Sequence, residues 1–499
     1  MTVVKNISPT EVEAVFLFSA GDFIMYFGIT LACAAFFCLG FWLLIKKLPE
    51  KNAMLFKGAV LLFCAIGFFR FMLSDSFMFV INGGYYDEIF YEATDPLQSV
   101  LRWGYYLNYA VLPMAIFFES RLFRNIASYV CLPFSVLSAV FFDDFMVYFL
   151  APEGRGLHLT PAFRYVYFII ELALAIAIPI LIQICCRHVF HVKDRKEWFN
   201  FLISLPFIAL LMVPVYVPQS LIGFSKMIAS KGSDFHTLWL IILAIATIAL
   251  YYIYRFRPYR DRYMLCVFLT IVLFFHYDSL YLMGFSIPRL PIQLCNLAAY
   301  LYLIAIPFKR RKLFQFCFIA NLTGTLLAIF LPDFMPGALG FWTMHFTFEH
   351  SLVFIIPVIA MWLRIFPRVD RSALKYSFIG FSIYFIFCLT SGTILNGFAD
   401  VTGFEVNYFF LFDLDEAFAV FPFFSFSESV HWQFGRFEIY PLFVLTIFLC
   451  FQLLCVVFYH VVHFIYRFED DHLALRRSAI DLYEKRTGKI SRRKKEFVD

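Results

Sequence analysis

The chain has 499 residues, 62% of them hydrophobic and 15% charged, with a net charge of +5. Soluble domains carry about 25% charged residues, so a soluble globular protein is excluded, and the basic residues sit in short loops and a tail, which is no footprint of a nucleic-acid binder. The twelve cysteines contain no CxxC pair and imply no disulfide framework, and the start MTVVKNISPTEVE lacks the pattern of a cleavable signal peptide.

The apolar runs are about as long as a helix needs to cross the hydrocarbon, about 20 residues, and they do not alternate as strands do. About thirteen spans are expected. The first runs from Phe23 to Ile45 and ends at Lys46 and Lys47. The second, Gly58 to Val80, carries Arg70 inside it, and an acidic stretch with Asp87, Glu88 and Glu92 follows. Spans three to six cover Val100–Phe118, Ile126–Phe142, Phe163–Cys186 and Trp198–Val217. Spans seven to twelve cover His236–Tyr254, Tyr263–Phe285, Leu290–Phe308, Leu313–Leu331, Thr347–Phe366 and Tyr376–Leu395. An acidic, aromatic loop leads to the last span, Glu438–Tyr466, and a basic tail. The strongly basic loops fall on one side of this map, so the N-terminus is expected outside and the tail in the cytoplasm.

The two halves resemble each other in order. LIKKLPEKN matches IYRFRPYRD, FFRFM matches FFHYD, FFDDFM matches FLPDFM, and IIELALAIAIP matches TFEHSLVFIIP. These matches pair Arg70 with His276 and Glu171 with Glu349. They predict an all-α membrane protein built as a tandem duplication of a six-helix unit: residues 1–235, then 236–466 with one added helix, then the tail 467–499. Gly104 falls near the position of Cys295, and Leu172 at that of His350, so an active site would belong to the second copy.

In that copy Cys295 lies about five residues into its span and His350 about three, roughly 7.5 and 4.5 Å at 1.5 Å per residue. A cysteine and a histidine at one depth are the minimum for a thiolate nucleophile and its base. Asp278, Asp333 and Glu349 are the carboxylates that could orient the imidazole. Asn296, Gln293, His276 and Arg70 are candidate substrate contacts, the last two because ionisable groups within a span mark function by default. The bland reading of a cysteine in an apolar helix is packing material. His276, Asp278, His345 and His350 have no diagnostic metal-ligand spacing, and neither a metal nor a cofactor is expected.

The stretches LPIQLCNLAAYLYLIAI, KLFQFCFIANLTGTLLAIFLPDF, TFEHSLVF, NYFFL and EIYPLF resemble the YwaF-like bacterial integral membrane proteins, a family related to animal transmembrane protein 164. The resemblance spans His236 to Tyr466. It implies acyl transfer between phospholipids through a cysteine acyl carrier and a histidine base, which by position are Cys295 and His350. The family often has histidine two places before the cysteine, where this chain has Gln293. The expected partners are membrane phospholipids, with anionic lipid at the C-terminal tail. The alternative is a transporter with a site between the two repeats, watched through Arg70 and His276.

Overall fold

A computed structural model describes residues 23–72, 96–142, 161–186, 195, 228–278, 290–334, 338, 341–402, 405–414, 417–418, 422–434 and 437–487. The expected sixth span and the ends of the second and eighth lie outside the described residues; the other expected spans overlap helices, the ninth one of only 12 residues, Leu294–Ala305. Eight helices are long and apolar enough to cross a membrane. The chain divides into two compact units. One comprises Met1–Ala229, Asp278–Ser286 and Met335–His345, the other Ser230–Tyr277, Ile287–Phe334 and Phe346–Asp499.

The first unit contains α1 (Gly28–Lys47), entered through a π-turn at Phe23–Phe27, and α2 (Asn52–Met72). Pro49 opens the single 3-10 turn between them, because proline cannot continue a helix but tolerates its first position. Then come α3 (Pro96–Phe117), α4 (Arg121–Val140) and α5 (Pro161–Cys185). The side chain of Ser120 caps α4 by accepting from Phe123 N at 3.5 Å. Phe63, Tyr105 and Tyr109 pack as a ring cluster, and Tyr109 donates to the fully buried carboxylate of Glu171 on α5.

The second unit begins with α6 (Asp234–Tyr254), capped by Ser233, and α7 (Tyr259–Asp278). It continues with α8 (Leu294–Ala305) and α9 (Arg311–Phe330). Next come α10 (Phe341–Trp362), α11 (Ser372–Gly397) and α12 (Pro441–Thr487). Phe381 on α11 is the hub of the core between α11 and α12, with Tyr384, Phe385, Phe409, Phe448 and Phe451 around it. Before α12 the chain makes a small antiparallel hairpin, β1 (Trp432–Phe434) with β2 (Phe437–Ile439), inside what the sequence suggests is only an acidic loop.

α12 runs 47 residues without a break. The apolar span therefore continues as helix into the expected tail. Arg368, in the turn before α11, holds this extension through Glu469 at 2.5 Å and Asp470 at 2.7 Å, with its guanidinium 4.7 Å from the Tyr466 ring.

α4 and α9 share one irregularity. Each is a 20-residue span. Each runs six α-helical residues, then a five-residue π-turn (Ala127–Cys131 or Cys317–Asn321), then α-helix again. Each is preceded by a non-glycine residue in the left-handed region, Glu119 at φ 52° and Lys309 at φ 51°. α5 and α10 share another: Glu171 and Pro179 recur at the same separation as Glu349 and Pro357.

Candidate functional site

Cys295 sits in the first turn of α8, directly after Leu294, with Gln293 as the preceding cap residue. It is a free cysteine on a half-buried residue, with the thiol itself turned inward. Its sulfur is 3.8 Å from Thr325 Oγ1 on α9. Thr325 commits its own hydroxyl proton to Asn321 O at 2.7 Å, so the thiol is the donor in the sulfur–oxygen contact. Asn321 Nδ2 reaches back to Leu294 O at 3.0 Å. That bond satisfies a carbonyl and ties α9 to the first turn of α8. A π-turn inserts an extra residue and changes the face that the following helix presents. Asn321 closes that turn, and Thr325 follows one helical turn later.

His350 lies on α10 and is buried. Its Nδ1 donates to Phe346 O at 2.8 Å, and its ring lies 4.0 Å from the Phe346 ring. With Nδ1 carrying the proton, Nε2 is the acceptor nitrogen of the neutral ring. His463 makes the same bond to Tyr459 O at 3.1 Å, so the geometry comes with a helical histidine and is not by itself a mark of chemistry. Glu349, beside His350 and 3% exposed, interacts electrostatically with both the Cys295 thiol and the His350 ring. Tyr302 and Tyr384 also lie within electrostatic reach of Cys295. Tyr302, fully buried, donates to Val353 O on α10 at 3.1 Å.

The depth of these groups follows from the hydrogen bonds. His236 Nε2 meets Ile329 O at 2.9 Å, which levels the start of α6 with the end of α9. Thr325 is one turn below Ile329. Trp239 Nε1 donates to Ser351 Oγ at 2.8 Å, so the residue after His350 is level with a position one turn into α6. Cys295 and His350 thus share a depth to within about one turn, about 5.4 Å. The route to that result differs from expectation, because α10 starts at Phe341 and His350 is some nine residues along it instead of three.

The remaining candidates have separate surroundings. Asn296 Nδ2 donates to Tyr277 OH at 3.0 Å. His276 is buried with its ring 5.7 Å from Phe348. Gln293 uses both ends of its amide on backbone, donating to Asn407 O at 3.1 Å and accepting from Phe409 N at 3.0 Å. There it holds two successive left-handed residues, Phe409 and Phe410, both at φ 57°. Asp333 is exposed beyond the end of α9. Asp278 ends α7 and Arg70 lies in α2; their side chains lie outside the described ones. No group of three or more His, Cys, Asp or Glu gathers as a metal would need among the described residues.

Thr325, Asn321 and Tyr384 escape a reading that searches for nucleophiles and bases. The available signal is the pair Asn321 and Thr325, one turn apart in a span whose other polar side chains are Gln315 and Thr323.

The helices, their apolar faces and their basic turns define a multi-pass α-helical membrane protein. Within it, residues 230–459 match the model of the TMEM164 family, so the second half of the chain is related to that family. No curated protein and no solved structure matches the chain.

Proposed function

We propose that the protein is a lipid acyltransferase or acyl-ester hydrolase embedded in the membrane, with Cys295 as nucleophile and His350 as general base. The observation that carries this reading is the set Cys295, Thr325, Glu349 and His350. It combines a free thiol in the first turn of a helix, a hydroxyl next to its sulfur, and one buried carboxyl close to both thiol and imidazole. All four residues lie in the segment that matches the family, and the family resemblance implies the acyl chemistry.

The Cys295 sulfur attacks the ester carbonyl of a phospholipid while its proton passes to His350 Nε2. The carbon–oxygen bond then breaks and His350 returns the proton to the departing glycerol oxygen. The products of this half are an acyl thioester and a lysophospholipid. A second lysophospholipid hydroxyl, or water, attacks the thioester with His350 again taking the proton. The carbon–sulfur bond breaks, the new ester or free acid leaves, and the thiol is restored. The N–H groups of the first turn of α8 favour negative charge on the sulfur, whereas a charged Glu349 favours the imidazolium beside it and opposes charge on the sulfur. Phe346 O holds the imidazole tautomer, the role that sequence reasoning gives to a carboxylate.

The reading includes a tandem duplication. With Arg121 placed on Arg311, the π-turns coincide and Ser135 falls on Thr325. Each of these two hydroxyls bonds the carbonyl four residues back, at 2.9 and 2.7 Å. In the same register Gly104 falls on Leu294 and Phe134 on Gly324. A Cβ on Gly104 would meet the Phe134 ring at 2.2 Å, and one on Gly324 would meet Leu294 Cδ2 at 3.1 Å. One contact is thus filled by Phe134 from α4 in the first unit and by Leu294 from α8 in the second. Tyr105 takes the place of Cys295, and Leu172 that of His350, which makes the first unit the non-catalytic copy.

Intact-protein mass spectrometry with phosphatidylcholine present tests the chemistry. The expected result is a hydroxylamine-sensitive acyl adduct on the wild type, absent from Cys295→Ala and formed more slowly by His350→Gln. Acyl turnover persisting in Cys295→Ala would overturn it. Solute uptake lost in Arg70→Ala but kept in Cys295→Ala would favour transport instead.

A further inference from the structure

A groove of about 710 Å³ runs between α11 and α12, lined by Leu374, Lys375, Ser377, Phe378, Gln452 and Leu453 and flanked by Ile379, Cys455 and Val456. Its size is that of a ligand site. Most of its wall is what a lipid-facing surface should be: Phe378, Ile379 and Leu453 are largely exposed. Two features are not. The amide nitrogen of Gln452 is buried and makes no hydrogen bond among the described residues. The Ser377 hydroxyl, on a residue 1% exposed, has no nitrogen or oxygen partner among the described residues and bonds the Cys455 thiol. A buried donor without an acceptor is costly, most of all in hydrocarbon, where no water can serve it. At one rim stands Lys375, an exposed cation in the first turn of α11 close to exposed Arg371.

We infer that this groove holds one anionic phospholipid. The lipid comes from the leaflet at the basic end of α11. Its phosphate pairs with Lys375, where a snorkelling lysine meets the headgroup level. An ester carbonyl accepts from Gln452 Nε2 and, where it can reach, from the Ser377 hydroxyl. One acyl chain lies against Phe378, Ile379, Leu453 and Val456. A zwitterionic lipid brings its own cation beside its phosphate, so it answers Lys375 less completely than an anionic one. The site is separate from Cys295, and the inference does not depend on the chemistry proposed there.

The test is native mass spectrometry of the full-length protein from nanodiscs of phosphatidylglycerol or phosphatidylcholine. It compares the wild type with Lys375→Gln, Gln452→Leu and Ile379→Trp. One phosphatidylglycerol should stay bound to the wild type, with affinity roughly tenfold lower in Lys375→Gln and in Gln452→Leu. Ile379→Trp fills the groove and should abolish retention. Gln452→Leu also removes the unpaired donor, so in lipid-free detergent it should melt higher than the wild type, a readout that a misfolded variant would not give. Equal retention of phosphatidylcholine would overturn the anionic assignment. Unchanged retention in Ile379→Trp, or a dimer that Ile379→Trp dissociates, would overturn the lipid site.

Discussion

The Thr325 hydroxyl offers the most selective change at the Cys295 sulfur. Thr325→Val keeps the shape and removes the acceptor, and Thr325→Ser keeps the acceptor. If the hydroxyl holds the sulfur in place for attack, Thr325→Val lowers the rate of adduct formation at Cys295 about tenfold, equivalent to about 1.4 kcal/mol in the barrier, while Thr325→Ser stays near wild type. Equal rates in all three proteins would make the contact packing alone. The same residue scale explains why Gln293 can stand where the family often has histidine. In this chain the side chain at that position works on backbone, closing the strained turn at Phe409 through both ends of its amide. An amide presents its donor and acceptor side by side on one carbon, whereas the donor and acceptor nitrogens of a neutral imidazole point apart across the ring.

At the scale of elements, the entry to α11 is organised by Asp370. Its carboxylate accepts from the Ser372 hydroxyl and from Ser372 N at 2.9 Å, pairs with Arg311 at 2.7 Å and accepts from Gln315 at 3.3 Å. These bonds, the Ser372 hydroxyl first, hold its carboxyl below the usual carboxylate range. A carboxyl that is more acidic folded than unfolded stabilises the fold fully above its unfolded value and loses that contribution as pH falls through its folded value. The effect is small, because the pair is about half exposed. The wild type should therefore melt above Asp370→Asn at pH 7, and the gap should close as the pH falls below about 4, the ordinary carboxylate range. A gap that does not narrow at all between about pH 7 and about pH 2 would show that the charge is not what stabilises the turn.

For the whole molecule, the proposed duplication makes a packing prediction that compares one unit with the other. If Gly104 with Phe134 and Leu294 with Gly324 are two solutions to one contact, installing the second solution in the first unit should be tolerated. Gly104→Leu alone drives a side chain into the Phe134 ring and should cost about 1–3 kcal/mol. Phe134→Gly alone leaves a void and should cost about 3–5 kcal/mol. The double variant should recover part of the sum, with a coupling of about 0.5–3 kcal/mol, measured by thermal unfolding in detergent. Additive losses would mean that the two contacts are unrelated.

Apolar run length and loop charge, by themselves, determined that this is an all-α membrane protein and where its helices lie. Hydrocarbon admits only self-satisfied backbone, and a run of the right length has few other structures open to it. The count along each segment also put Cys295 and His350 at one depth, but α10 starts at Phe341, so that count was wrong for His350 and the level rests on hydrogen bonds between helices. What neighbours a side chain has is not such a count. That Thr325 touches the sulfur, that Gln293 braces a strained turn and that α12 continues into the expected tail as far as Thr487 were decided only by tertiary structure. The π-turn at Cys317–Asn321 shows the physical reason. One extra residue in one turn leaves composition and hydropathy unchanged but alters which face of α9 meets α8, and lateral facing of that kind exists only once the helices are packed.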